Sequence, residues 1–377
     1  MKILIIVNVD WFLYSHRLPI ILEANKQGFE VHIATFITDI SKKKSLIKKG
    51  IHFHELPIDR SGKSFRNLLN VFLKIIVLLY KLKPNVLHLI TIQPILLGGI
   101  ASRIIGINKI VYAISGLGHS FLSENLSSSI RRYLITFMYR IALGNKNRIV
   151  IFQNPTDLEF LSKTCSLDSS EVALINGSGV NLEKFVYSDL PRSTPIVLMA
   201  SRLLKSKGVY EFVNAARILK KEGLDIKFQL VGKPDKSNPL AIKSKELNQW
   251  IEDGLIEYLG FQNNMNEIIP KSHIVVLPSY YPEGLPKILC EAAACGRVVI
   301  TTNQPGCKDA IKEGETGILI ETKQSKQLAT AILKLIEDPK LLKKMSFKAR
   351  KRAEKLFNID SIVEKHIKIY NYLYKLN

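Results

Sequence analysis

Short apolar runs alternate with longer stretches of helical periodicity along the whole chain. In the first half, the runs at 2–7, 29–34, 51–56, 84–90, 109–114, 148–153 and 172–176 have the length of strands buried on both faces. Between them, apolar residues at 18–26, 65–82, 95–105 and 130–143 recur at the spacing of helices that pack one face on a sheet. A second series of runs begins at 196–200 and continues at 226–231, 256–259, 274–277, 298–301 and 317–320, with helices over 209–220, 240–252 and 264–271. Strand-helix alternation of this kind predicts an α/β protein with parallel sheets. Residues 187–194, rich in Ser, Pro and charge, read as a linker. The expected architecture is two Rossmann-like domains facing across a cleft, 1–186 and 187–356, followed by a terminal helix over 357–377.

The unit at 274–302 carries the most chemistry. Its strand runs into a loop punctuated by Pro282 and Gly284, and Pro286 suits the first turn of the following helix. Ile288, Leu289, Ala292 and Ala293 share one helical face, and Gly296 closes the helix. Glu283 lies above the strand's carboxyl end, where open α/β sheets bind ligands, and Glu291 lies about two turns further along. Gly284 lets the backbone approach a ligand, and the free N–H groups around residues 285–287 suit a phosphate. Two hydroxyl-binding carboxylates beside an anion site fit a sugar nucleotide. The same spacing also fits an ordinary βαβ unit with two solvated glutamates.

Two other loops bear on that choice. Arg202 and Lys207 follow the 196–200 strand and can both reach one diphosphate, although basic loop residues are commonly just solvated. At the end of the 109–114 strand, Gly116 and Gly118 allow close backbone approach and put His119 at the cleft, where a lone histidine can also be structural. Residues 8–17, read as a loop, carry no G-x-G-x-x-G, so the dinucleotide fingerprint of a nicotinamide oxidoreductase is missing. His16 and Arg17 either face the cleft or sit at a helix-start surface.

With 377 residues and 46% hydrophobic content, the chain is long enough for two substantial cores. Its net charge of +21, from 54 basic and 33 acidic residues, favours acidic partners or reflects lysine-rich solvated faces. Cys165, Cys290, Cys295 and Cys307 form neither a disulfide framework nor a zinc pattern, which points to a reducing compartment. The N-terminus reads as a strand rather than a signal peptide, and Asn70 and Lys74 interrupt the most apolar stretch. A cytoplasmic protein, peripheral on the inner face of the cell membrane, is expected. The 130–143 helix carries Arg131, Arg132 and Arg140 with Tyr133, Phe137 and Tyr139, and either packs on the sheet or meets an anionic membrane or lipid-linked acceptor. No D-x-D triplet occurs, so no metal clamp on a diphosphate is implied.

Glu283-Gly-Leu-Pro-Lys-Ile-Leu-Cys-Glu291, with the Ala-Ala-Ala-Cys-Gly that follows, resembles the E-x7-E motif of the family-four retaining glycosyltransferases of GT-B fold. Arg202 and Lys207-Gly208 resemble that family's diphosphate clamp, and His119 matches the histidine that contacts the transferred sugar. Residues 8–17 depart from the family in lacking its glycine pair. The Ser-His16-Arg17-Leu-Pro19 and Gly177-Ser-Gly-Val180 segments are most similar to bacterial surface-polysaccharide transferases that use UDP-linked N-acetylhexosamines.

The resemblance implies retaining hexosyl transfer, with the acceptor on the first domain and the sugar nucleotide on the second. Arg202, Lys207, Gly284, Leu285, Pro286 and Glu291 would bind the donor, and His119 and Glu283 would be catalytic. No metal and no cofactor beyond the UDP-linked donor is implied. The acceptor would be a saccharide on a polyprenyl diphosphate at an anionic membrane surface, with no nucleic-acid partner. The terminal segment would cross back to the first domain. The competing readings are a sugar-nucleotide epimerase of the same fold and a non-enzymatic protein that binds membranes or nucleic acid.

Overall fold

The structure, a computed structural model, describes residues 1–58, 64–117, 126–235 and 238–376, with the side chains of 126–132 outside that description. It consists of two compact units, Met1–Ser178 with Ile359–Asn377, and Gly179–Asn358.

Among the described residues the first unit holds a seven-stranded sheet of β1 (Lys2–Val9), β2 (Glu30–Phe36), β3 (His52–Glu55), β4 (Val86–Ile90), β5 (Lys109–Ile114), β6 (Asn147–Phe152) and β7 (Val172–Leu174). The strand order is β3-β2-β1-β4-β5-β6-β7, and every pairing is parallel. Successive side chains point to opposite faces. Ile3, Ile5 and Val7 therefore join one core, while Leu4 and Ile6 join another under the helices Phe65–Leu82 and Ile92–Ile105.

Residues 8–17 are not a loop. The end of β1 passes straight into a helix, Asp10–His16, and then into Leu18–Lys26. The fully buried Asp10 carboxylate accepts from the backbone N–H groups of Thr38 (2.7 Å) and Asp39 (2.9 Å), which fixes that turn. Arg17 is neither at a surface nor exposed to solvent; it is 2% exposed, and its Nε and Nη1 have no acceptor among the described residues.

The terminal helix Ile359–Lys375 belongs to this first unit. It buries Ile362, Val363, Ile367, Tyr370 and Leu373. The Tyr370 hydroxyl shares a 2.8 Å hydrogen bond with Nδ1 of His88, which sits in the middle of β4. In the helix Leu126–Ala142, Tyr139 is fully buried and Arg140 donates to the Thr164 carbonyl, so these two residues serve packing. Tyr133, Leu134 and Phe137 on the same helix are exposed.

The second unit holds, among the described residues, a six-stranded parallel sheet of β8 (Ile196–Ala200), β9 (Lys227–Val231), β10 (Glu257–Gly260), β11 (Ile274–Leu277), β12 (Val298–Thr302) and β13 (Gly317–Ile320). The order is β10-β9-β8-β11-β12-β13. Residues 187–194, expected as a linker, lie within this unit. The fully buried Arg297 donates to the Ser188 hydroxyl (2.6 Å) and carbonyl (2.8 Å) and to the Pro270 carbonyl (2.6 Å), which ties the segment down.

Candidate active site

β8 and β11 are neighbours, and the chain leaves them towards opposite edges of the sheet. Their carboxyl ends therefore frame the crevice in which open α/β sheets bind ligands. The two loops that leave these strands touch through backbone. Gly208, at φ +82°, lies so close to Pro278 that a Cβ would fall 2.2 Å from its carbonyl oxygen. Only glycine combines that conformation with that approach. The Tyr280 N–H donates to the Ser206 carbonyl at 3.0 Å and closes the contact.

This contact delivers Lys207 to Glu283. The ammonium donates to Oε1 of the carboxylate, and the side chains are only 12% and 14% exposed. The fully buried Ser279 hydroxyl lies 3.1 Å from the same oxygen and 3.2 Å from the Ser206 carbonyl. Lys207 Nζ also stands 5.5 Å from the Tyr281 ring centroid, within cation–π range. Behind the loop, Gly306 at φ +78° would place a Cβ 2.4 Å from the carbonyl oxygens of both Glu283 and Gly284. The Glu283 N–H donates to the Pro305 carbonyl at 3.2 Å. Glu283 is thus held from the backbone as well as from its carboxylate.

The helix that follows spans Lys287–Ala294, with Pro286 as its N-cap residue. Proline has no N–H, so the donors around this start come from its neighbours. Glu291 is buried, with Lys287 Nζ 3.5 Å from its carboxylate. Burial holds its carboxyl above the usual range, and the Lys287 charge offsets part of that effect. Neither glutamate is a solvated surface residue.

Arg202 and Lys207 take different partners. Arg202, 44% exposed, lies 3.3 Å from Asp235 in the loop after β9. Gly232 at the start of that loop packs against the Ser201 carbonyl, where a Cβ would fall at 1.9 Å. Cys307 is fully buried beside this site, and burial pushes its thiol up to about 12, which rules it out as a nucleophile. His119 lies outside the described residues. Ser279, Asp235 and Gly306 were not among the residues expected from sequence. Ser279 adjoins the glutamate motif and could have been included, whereas nothing in spacing points to Asp235.

Residues 182–352 match the family described as glycosyl transferases group 1, and residues 2–154 match the one described as glycosyl transferase 4-like. A Campylobacter jejuni protein named N,N'-diacetylbacillosaminyl-diphospho-undecaprenol alpha-1,3-N-acetylgalactosaminyltransferase is 30% identical over 275 residues, 70% of each chain. The chain belongs to the family-four glycosyltransferases. This glycosyltransferase is also 26% identical over 362 residues, 92% of its length and 90% of the relative's, to the capsular polysaccharide biosynthesis glycosyltransferase CapM of Staphylococcus aureus. The Anabaena protein HepE, solved in complex with UDP, shares the fold at a TM-score of 0.77 and 19% identity, covering 99% of this chain and all of the other. The protein is a retaining hexosyltransferase of GT-B fold, and these relatives favour neither an epimerase nor a non-enzymatic protein.

Proposed function

We propose that the enzyme moves an N-acetylhexosaminyl group from a UDP-linked donor to a saccharide carried on a polyprenyl diphosphate. The observation that carries this reading is the Lys207–Glu283 contact at the crevice between β8 and β11. It sets a cation for phosphate against a carboxylate for sugar hydroxyls, beside a helix start. Lys207 and Arg202 bind the diphosphate, with the N–H groups of Gly284, Leu285 and Lys287, while Pro286 shapes the turn. Glu291 takes the ribose hydroxyls. Glu283 takes the transferred sugar, and His119 contacts the same sugar. Negative charge that develops on the leaving phosphate is stabilised by Arg202 and Lys207, with no metal or further cofactor. The acceptor attacks from the face that the leaving phosphate vacates, and that phosphate helps to remove its proton.

The second unit serves the donor and the first the acceptor. Two relatives support the choice of sugar, carrier and setting: the Campylobacter enzyme by its N-acetylgalactosaminyl and diphospho-undecaprenol names, the Staphylococcus one by its capsular role. Among the described residues no helix is long and apolar enough to cross a membrane. The first unit nevertheless exposes Phe65, Leu69, Leu73, Val77 and Tyr80 along one helix, with Lys74 and Lys81 exposed on the same helix. A helix of that kind seats its apolar stripe in an anionic membrane interface. The test is a panel of sugar nucleotides incubated with vesicles that carry a synthetic polyprenyl-diphosphate saccharide. Extension of the lipid by one N-acetylhexosamine, with release of UDP, is expected. Turnover of no UDP-linked donor overturns the proposal.

A further inference from the structure

The amino end of the first sheet carries a cluster that glycosyl transfer does not use. Glu30 opens β2 and His52 opens β3, so both lie at the opposite end of their strands from the carboxyl edge. Parallel pairing sets His32 beside His52 and Ala34 beside His54. The two-residue repeat of a strand then puts Glu30, His32, His52 and His54 on one face. One ligand atom from each of Glu30, His32 and His52 lies within 4.8 Å of the others. His32 turns Nε2 to the Glu30 carboxylate at 2.9 Å and Nδ1 to His54 Nε2 at 3.0 Å. Its ring stacks on His52 with centroids 4.5 Å apart.

We propose that Glu30, His32 and His52 bind a divalent transition metal of the zinc, cobalt or nickel class, with His54 bonded to the second nitrogen of His32. Two imidazoles and one carboxylate suit these ions and disfavour magnesium or calcium, which take all-oxygen sites. Bonds of about 2.0–2.2 Å require the donor atoms to draw closer than they stand. His32 is buried and fixed, whereas Glu30 and His52 are exposed and can close on an ion. With Nε2 on the metal, His32 donates its Nδ1–H to His54 Nε2, and that bond fixes its ring and tautomer, as the residue behind a metal-bound histidine usually does. Lys2, with Nζ 3.7 Å from Glu30, is the present counter-charge and yields to a divalent ion. Among the described residues β3 is an edge strand, paired with β2 alone. A metal held by both strands would staple that edge, so its effect is on stability rather than on the transfer reaction.

The test uses the full chain, free of any histidine tag and stripped with chelator. Cobalt(II) titration should give a saturable visible d–d spectrum at one equivalent, bleached by zinc, and zinc should raise the melting temperature while magnesium does not. His52→Ala and Glu30→Gln change exposed side chains and should leave the metal-free melting temperature near that of the parent. Each should weaken cobalt binding by at least about tenfold. Absence of a saturable spectrum overturns the proposal, as does an unchanged spectrum and affinity in both variants.

Discussion

Lys207 and Glu283 hold each other in the free enzyme. They leave different strands and meet because Gly208 rests on the Pro278 carbonyl. The ammonium assigned to the donor diphosphate is therefore already in use. On the proposed assignment, a diphosphate that draws Lys207 towards itself would release the Glu283 carboxylate for the sugar, so binding of the nucleotide and positioning of the sugar would be coupled.

The two basic residues differ in what their loss does to the free protein. The Arg202–Asp235 pair is half exposed on the arginine side and contributes about 0–1 kcal/mol to stability. Arg202→Ala should leave the melting temperature nearly unchanged yet weaken UDP by about 1.5–3 kcal/mol, that is roughly 10- to 150-fold. Lys207→Ala should weaken UDP similarly and also destabilise the fold, because the Glu283 carboxylate, only 14% exposed, loses its cation. Adding Glu283→Gln to Lys207→Ala should restore the stability but not the affinity. Calorimetry with UDP and thermal melts read the two effects apart; unchanged UDP affinity in both single variants removes the clamp from this loop.

Glu291 is predicted to trade stability for binding. Its folded-state pKa is raised, chiefly by burial, so the folded form favours the protonated carboxyl. Stability tied to this group is fully present below its unfolded value, near 4.5, and is lost as the pH rises through the higher folded value. Glu291→Gln should then match the parent near pH 4 and be the more stable of the two at pH 7.5. Its affinity for UDP should fall and its KM for donor rise, with kcat less affected. A variant less stable than the parent at pH 7.5 would show that the Lys287 contact outweighs the cost of burial.

The terminal helix should carry an acid-sensitive lock. Burial, then the Arg17 charge, pulls His366 down to about 3, and burial, then the neighbouring His366 ring and the Arg17 charge, holds His88 well below 6.5. Both rings are neutral in the fold and take up protons when it opens. Their contribution is complete above pH 6.5 and falls as the pH drops towards the folded values. The loss is at most about 1.4 kcal/mol per pH unit for each ring. His366→Asn removes one titrating ring facing Arg17 and His88. Denaturation midpoints between pH 7 and 5 should therefore fall less steeply in the variant, whatever its absolute stability. Equal slopes contradict the assignment.

Much of this was legible in the chain because strands buried on both faces are apolar throughout. The runs at 2–7, 109–114 and 274–277 need no partner to be recognised. The Glu283–Glu291 motif was equally plain, and the structure adds that Glu291 is buried and that the Glu283 side chain is only 14% exposed. What escaped depends on distant partners. Residues 8–17 look like a loop until Asp10 meets the backbone of Thr38 and Asp39. Residues 187–194 have linker composition, yet Arg297, more than a hundred positions on, binds them. In the helix Phe65–Leu82 apolar residues line two faces, and periodicity alone does not say that Val71, Ile75 and Leu79 enter the core while Leu69, Leu73 and Val77 stay outside.

That outer face gives a prediction about membranes. Leu69→Ser with Leu73→Ser changes only exposed positions and should leave stability within about 0.5 kcal/mol. It should lower co-sedimentation with anionic vesicles, and raising salt should weaken parent and variant alike, because screening removes the lysine contribution. Equal vesicle binding by parent and variant removes this helix from the docking surface.

The coupling of nucleotide and sugar through Lys207 is tested most directly by Glu283→Gln, measured for UDP affinity by calorimetry and for turnover by steady-state kinetics. Removing the carboxylate frees Lys207 for phosphate and takes away contacts that strengthen as the sugar ring gains positive charge. Only the second loss acts on the transition state. UDP should bind as tightly as to the parent or more tightly, while kcat falls roughly ten- to a thousandfold, about 1.4–4 kcal/mol. Loss of UDP binding with kcat retained would contradict this coupling and would exchange the roles of Glu283 and Glu291.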